Sequence, residues 1–153
     1  MPKRLDAGLA AGGGSRLKDP QPNYESLARF RFAIRQFLNY SDSIARAAGI
    51  TSQQYQTLLA IGVRDNGEAT TLKELAEEML LLPHGAVQLV NRLETMKLVR
   101  RRKSPVDGRK VLVSLTVRGQ RTLGRLAKDH AAELRRQEPL LAESLRRLRG
   151  MPG

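Results

Sequence analysis

The sequence predicts a mainly α-helical fold with one small β-hairpin, and three observations lead there. Apolar residues recur at three- and four-residue steps through most of residues 24–149. One stretch, residues 109–115, alternates instead: Val111, Val113 and Leu115 are interleaved with Leu112 and Ser114, as in a half-buried strand. The turn-forming Ser104-Pro-Val-Asp-Gly108 lies between it and residues 99–103, so the two segments are expected to pair as a hairpin.

The elements follow in order. Residues 1–22 read as a basic, disordered arm, because Ala10-Ala-Gly-Gly-Gly-Ser15 is flexible and Asp19-Pro-Gln-Pro22 disfavours helix. A long helix is expected from Tyr24, with Leu27, Phe30, Ile34, Phe37, Leu38, Ile44 and Ala45 in register and Gly49 as its stop. It holds all three Phe and two of the three Tyr, on more than one face, so a partner on its second side is expected. Thr51-Ser-Gln-Gln54 and Thr71-Leu-Lys-Glu74 each fit a capping box, in which side chain and backbone at a helix start satisfy each other's donors. They open helices over 51–66 and 71–80. Pro83 suits the first turn of a helix over 83–97, with Ala86, Val87, Val90, Leu93 and Leu98 as its apolar positions. Thr116 caps a helix over 117–137. Pro139 is expected to break the chain and start a sixth helix, with Leu140, Leu141, Leu145 and Leu148 apolar. The expected division is an arm (1–22), a first long helix (23–50), a lobe of short helices and hairpin (51–116), and closing helices (117–153).

Composition narrows the function. There is no Cys among 153 residues, which excludes disulfides, thiolate chemistry and Cys-ligated zinc. Two His, His84 and His130, lie far apart, so no metal cluster is expected. The longest apolar run, Met79–Leu82, falls far short of the ~20 residues of a membrane helix, and the start of the chain lacks the apolar core of a signal peptide. A cytoplasmic protein is expected. No nucleophile–base pair appears, and Gly12-Gly13-Gly14 lacks the flanking elements of a phosphate-binding loop, so neither an enzyme nor a cofactor is expected. At 4% aromatic residues and no Trp, the core must be aliphatic.

The net charge is +12, and it is unevenly spread. Residues 24–96 are nearly neutral, whereas residues 97–153 carry 16 basic and 5 acidic residues. Seven cations crowd residues 97–110: Lys97, Arg100, Arg101, Arg102, Lys103, Arg109 and Lys110, against the single acid Asp107. Such crowding costs folding free energy through self-repulsion, which an anionic partner relieves. Two short helices joined by a turn and followed by a basic hairpin make a winged helix-turn-helix in outline. A helix fits the major groove of B-DNA, and the hairpin reaches the neighbouring backbone or minor groove. On the helix over 83–97, Gln88 and Asn91 can each pair bidentately with adenine, and Arg92 can reach guanine or phosphate.

Several segments resemble the MarR family of bacterial transcription regulators. They are Leu75-Ala-Glu-Glu-Met79, Val90-Asn-Arg-Leu-Glu94, Leu98-Val-Arg-Arg101, Asp107-Gly-Arg109 and Val113-Ser-Leu-Thr-Val-Arg-Gly119. The resemblance spans residues 24–149. It implies a homodimer of six-helix protomers, roughly triangular, with the first and last two helices dimerising through Leu140, Leu141, Leu145 and Leu148. It implies that residues 83–97 are the recognition helix, with His84, Gln88, Asn91 and Arg92 facing DNA. It makes residues 99–115 the wing, with Arg100, Arg101, Arg102, Lys103, Arg109 and Lys110 as its cations and Asp107 as the acid that holds an arginine. Two departures stand out: Gly108, where many members carry Arg, and Leu82-Pro-His-Gly85, where many carry a Ser or Thr cap and polar base readers.

The resemblance also implies a ligand-responsive repressor. It would bind a pseudo-palindromic operator in double-stranded DNA and be released by a small anionic aromatic or lipophilic effector. Phe37, Tyr40 and Tyr55, with Arg46 or Arg35 for a carboxylate, are the candidate effector-binding residues. The alternative is a non-specific nucleic-acid-binding protein of chromatin or RNA type. Arg118, Arg121, Arg125, Arg135 and Arg136 either flank DNA or face solvent; the sequence leaves both open.

Overall fold

A computed structural model of the chain describes residues 24–64 and 69–149. The expected N-terminal arm, residues 1–22, and the expected end of the helix over 51–66 lie outside the described residues. Five helices and three short strands follow one another: α1 (Tyr24–Ala47), α2 (Ser52–Arg64), β1 (Thr70–Thr71), α3 (Leu72–Glu78), α4 (Pro83–Thr95), β2 (Val99–Lys103), β3 (Val111–Leu115) and α5 (Val117–Arg149).

Local chemistry sets the element ends. Gly49, at φ +78°, ends α1, and the Ile50 amide returns to the Ala45 carbonyl at 3.1 Å. Both capping boxes form. The Thr51 hydroxyl accepts from the Gln54 amide while the Gln54 side chain accepts from the Thr51 amide. Thr71 and Glu74 repeat the exchange at the start of α3. In the middle of the chain, Leu80 and Lys97 take the left-handed conformation usually left to glycine, at φ 52° and 60°, and turn the chain out of α3 and α4.

The sequence suggested a two-stranded hairpin, but the sheet has three strands in the order β1-β3-β2. Thr70 and Thr71, beyond opening α3, pair with Val113 and Leu112. β3 begins at Val111 rather than 109. Arg109 and Lys110 belong to the connecting loop, closed by the Ser104 amide to the Lys110 carbonyl and the Lys110 amide to the Asp107 carbonyl, each 2.9 Å.

The larger correction concerns the C-terminal end. Pro139 does not break the chain, and α5 runs unbroken through it to Arg149, giving five helices among the described residues instead of six. A proline inside a helix costs about 3 kcal/mol through its lost donor and its clash with the preceding turn. The antiparallel packing of α5 on α1 spans both sides of it and offsets that cost. Before Pro139, Ser41 meets His130, and Arg136 lies 5.9 Å above the Tyr40 ring. Beyond it, Glu143 and Arg147 lie close enough to feel the charges of Arg29 and Glu25.

The core sits where the lobe meets α5. Leu58 and Ile61 of α2, Leu75 of α3, Val90 and Leu93 of α4, Val99 and Val113 of the sheet and Leu126 of α5 are almost fully buried. It is aliphatic apart from Tyr55. Gly119 permits the closest approach: a side chain there would put Cβ 1.9 Å from the Leu98 carbonyl oxygen.

Candidate nucleic-acid interface

The faces of α4 follow from its sequence. Ala86, Leu89, Val90 and Leu93 are buried. At about 100° per residue, the residues opposite them are His84, Gln88, Asn91 and Thr95, all exposed. Three of the four expected recognition residues thus lie along the centre of the outward face. Arg92 lies to one side, where it borders a shallow cavity of about 120 Å³ together with Gln88 and Gln53 of α2. Gln53 was not anticipated. It falls inside a capping-box tetrapeptide, and its own side chain carries no signal of the contact.

Arg101 ties the wing to this helix. Side chains alternate across a strand, so Arg101 shares the face of the buried Val99 and turns towards α4. Its guanidinium donates to the Asn91 side-chain oxygen and, at 3.3 Å, to the Val87 carbonyl, and it lies 3.8 Å from a Glu94 carboxylate oxygen. Asn91, expected as a base reader, and Arg101, expected as a wing cation, are therefore partners of each other. Arg100, on the opposite face, donates to the Ser114 hydroxyl at 3.2 Å. Arg102 and Lys103 are exposed.

The wing tip is a built turn. The Ser104 hydroxyl accepts from the Val106 and Asp107 amides. One Asp107 carboxylate oxygen accepts from the Arg109 amide at 3.1 Å and from the Arg109 side-chain Nε at 3.3 Å. Asp107 is largely shielded whereas Arg109 is 92% exposed, so a held carboxylate aims a guanidinium outward. Lys110 is also exposed. These two cations border an open cavity of about 490 Å³ between the wing and α3, and Lys73, Glu74 and Glu77 line it from α3. Hydrogen bonds from Thr71, backbone and hydroxyl, hold the Glu74 carboxyl below the usual glutamate range, so it stays ionised beside them.

The residues expected around an effector separate. Phe37 and Tyr55 converge on His130, which sequence reasoning passed over. The Tyr55 ring stacks on it at 4.1 Å, and the Phe37 ring meets it edge-on at 6.3 Å. Burial pushes the Tyr55 hydroxyl above the usual tyrosine range. Tyr40 turns to Arg136, and Arg46 is exposed and paired with Asp42. Of the expected dimerising leucines, Leu140 and Leu145 are exposed and Leu141 and Leu148 half-buried.

No described helix is long and apolar enough to cross a membrane, and no group of three metal-ligating side chains occurs among the described residues. Residues 48–110, from the end of α1 to the wing tip, match the sequence model of the MarR family. No curated protein matches the chain in sequence. Solved structures share the fold. AbsC, a MarR family transcriptional regulator from Streptomyces coelicolor, superposes with a TM-score of 0.66 at 22% identity, over 76% of this chain and 79% of that one. CouR from Rhodococcus jostii RHA1, bound to p-coumaroyl-CoA, gives 0.64 at 23% identity, over 78% and 80%. The S. aureus MepR–DNA complex gives 0.61 at 21% identity, over 78% and 94%. The winged-helix lobe thus resembles the MarR family in sequence, and the lobe and long helices share their fold with MarR family structures.

Proposed function

We propose that the protein is a homodimeric transcription regulator that binds a pseudo-palindromic DNA operator and represses from it, with a small aromatic or lipophilic anion releasing it. The observation that carries this reading is the Arg101 clamp. It joins an exposed polar helix face to a hairpin rich in cations, so that the two present one surface at a fixed angle. A helix of that width enters the major groove, and an outward-aimed arginine beside it suits the adjacent minor groove. Dimerisation is supported by apolar side chains left exposed on both long helices: Phe32 and Leu38 on α1, and Leu134, Leu140 and Leu145 on α5. The effector is supported by the aromatic group around His130, and by a similarly folded protein, CouR, having been solved with an aromatic acyl thioester.

The test is binding-site selection from random duplexes, followed by gel-shift titration of Arg109→Ala on the selected site at fixed salt. A selected palindrome bound at least tenfold more weakly by the variant is expected. Selection of no preferred sequence leaves the non-specific nucleic-acid-binding alternative. Unchanged affinity removes Arg109 from the interface.

A further inference from the structure

The first half of α5 carries a row of cations that the reading face does not use. Positions 118, 121, 125, 128, 132 and 135 step by three and four residues and so share one side of the helix. Arg118, Arg121, Arg125, Lys128 and Arg135 occupy five of them and Ala132 the sixth, and all six are exposed. The buried Gly119, Leu126, His130 and Glu133 take roughly the opposite side. At helical rise the row is about 25 Å long. Arg136, Arg146 and Arg147 of the same helix pair with Glu133 or Glu143, whereas no cation of the row forms an ion pair among the described residues. Asp129 stands at its edge, half-buried beside the end of α1, and Glu138 follows its last member.

What the row lacks indicates its partner. Like charges at three- and four-residue spacing weaken a helix, and a polyanion relieves that repulsion. Between Arg118 and Glu133 no large apolar side chain is exposed. The row therefore offers neither the apolar face of a helix lying on a membrane nor the anchors of a protein interface. Residues 117–149 contain no Phe, Tyr or Trp on which an unpaired base could stack, and no Asn or Gln stands on the row to read a base edge. An evenly spaced line of charge suits the phosphates of a duplex, which repeat regularly and carry no sequence. The row and the reading surface also look in different directions. Leu126 of α5 and Val90 and Leu93 of α4 belong to one core, so the outer faces of the two helices lie on different sides of the lobe.

We propose that Arg118, Arg121, Arg125, Lys128 and Arg135 form a second DNA surface, which holds the phosphate backbone of duplex beyond the segment read by α4, without regard to sequence. This rests on the DNA-reading function proposed above. A protein seated on its operator then holds a further stretch of DNA, either the flank of the same molecule or a separate duplex.

The experiment uses the full chain on the selected operator, immobilised as a short duplex that ends at the site. A labelled duplex without the site is added, and its capture is titrated. Arg121→Gln, Arg125→Gln and Lys128→Gln are combined in one variant. The variant is expected to bind the short operator as the wild type does and to capture the second duplex at least tenfold more weakly. Five phosphate contacts give a fall of about 500-fold in capture affinity between about 50 and 200 mM salt, and the two contacts left in the variant about tenfold. Arg121→Lys with Arg125→Lys keeps the charge and retains capture. All three positions are exposed, and unchanged circular dichroism is expected. Where no separate duplex is captured, but long flanks on the operator strengthen binding of the wild type and not of the variant, the row holds the flank. Neither capture nor a gain from flanks, or the same capture and gain in the variant, overturns the inference while leaving DNA reading intact; so does preference for single-stranded RNA or polyglutamate over duplex. Failure to select any operator removes DNA reading; the inference falls with it if the remaining duplex binding is weakened by Arg109→Ala and not by the triple variant, and stands if the triple variant abolishes that binding.

Discussion

Gly119→Ala is expected to be the most damaging one-carbon change in the chain. Gly119 lies in the first turn of α5, and a Cβ there would stand 1.9 Å from the Leu98 carbonyl oxygen and 3.0 Å from its carbon. Both are backbone atoms at the root of β2, so no rotamer change relieves the clash; α5 must retreat from the strand by roughly 1 Å or more. That retreat breaks the contacts made by Thr116, whose amide donates to the Leu98 carbonyl at 3.0 Å and whose hydroxyl donates to the Lys97 carbonyl at 2.7 Å. Two hydrogen bonds at about 1 kcal/mol each, added to about 1–3 kcal/mol for overpacking, give a loss of about 3–5 kcal/mol. Two other glycines calibrate the scale. At Gly62 the obstruction is the Leu123 Cδ2 at 2.4 Å, the end of a side chain that can turn away, so Gly62→Ala costs less. At Gly124 nothing lies within 4 Å, so Gly124→Ala gains up to about 1 kcal/mol from helix propensity. Urea unfolding followed by circular dichroism, at one fixed protomer concentration because association shifts the midpoint, is expected to rank them Gly124→Ala, wild type, Gly62→Ala, Gly119→Ala. A midpoint for Gly119→Ala equal to the wild type's refutes the reasoning.

Three other outcomes are expected. Arg101→Met keeps the aliphatic stem but removes the donors to Asn91 and the Val87 carbonyl; the wing loosens, and affinity for the selected duplex falls about tenfold or more, whereas unchanged affinity means the clamp does not orient the wing. Thr71→Ala removes a cap worth about 1 kcal/mol. Because the Glu74 carboxyl is held below its ordinary range by Thr71, this stability is present above the ordinary glutamate range and is lost as pH falls through the folded value; denaturation midpoints of variant and wild type are expected to differ at neutral pH and converge in acid, and a gap that widens in acid contradicts the assignment. Pro139→Ala restores a donor inside a continuous helix and is expected to stabilise by about 1–3 kcal/mol; a lower midpoint would instead mean that the chain needs a break there.

Much of the lobe was legible because its determinants are local. The capping boxes at Thr51 and Thr71, the stop at Gly49 and the alternation of Val111 to Leu115 each depend on residues a few positions apart, and each forms. The misread features depend on distance. Pro139 looks like a break by every local rule, and it stays helical because α1, about a hundred residues earlier, packs on both sides of it. β1 is two threonines whose strand character comes only from Val113 and Leu112. Arg101 looked like one more wing cation. Its inward direction follows from strand alternation, but the partner it finds there, Asn91, depends on how β2 packs on α4.

His130 links the two long helices and the lobe through one buried side chain. The Leu126 carbonyl can only accept, so Nδ1 of the ring carries the proton that bonds it at 2.7 Å. In the neutral ring Nε2 is then left to accept from the Ser41 hydroxyl, also at 2.7 Å, and the ring face is left to Tyr55. One buried side chain thus ties α5 to its own preceding turn, to α1 and to α2, the first helix of the lobe. Sliding α5 along α1 breaks the Ser41 bond, and tilting the lobe unstacks Tyr55. The first motion leaves a buried nitrogen and hydroxyl without partners, at about 1–3 kcal/mol; the second loses only the ring contact. Phe37 and Tyr55, which the family resemblance offered as effector-binding residues, wall this histidine, so a molecule entering between them must displace the contacts that the histidine makes.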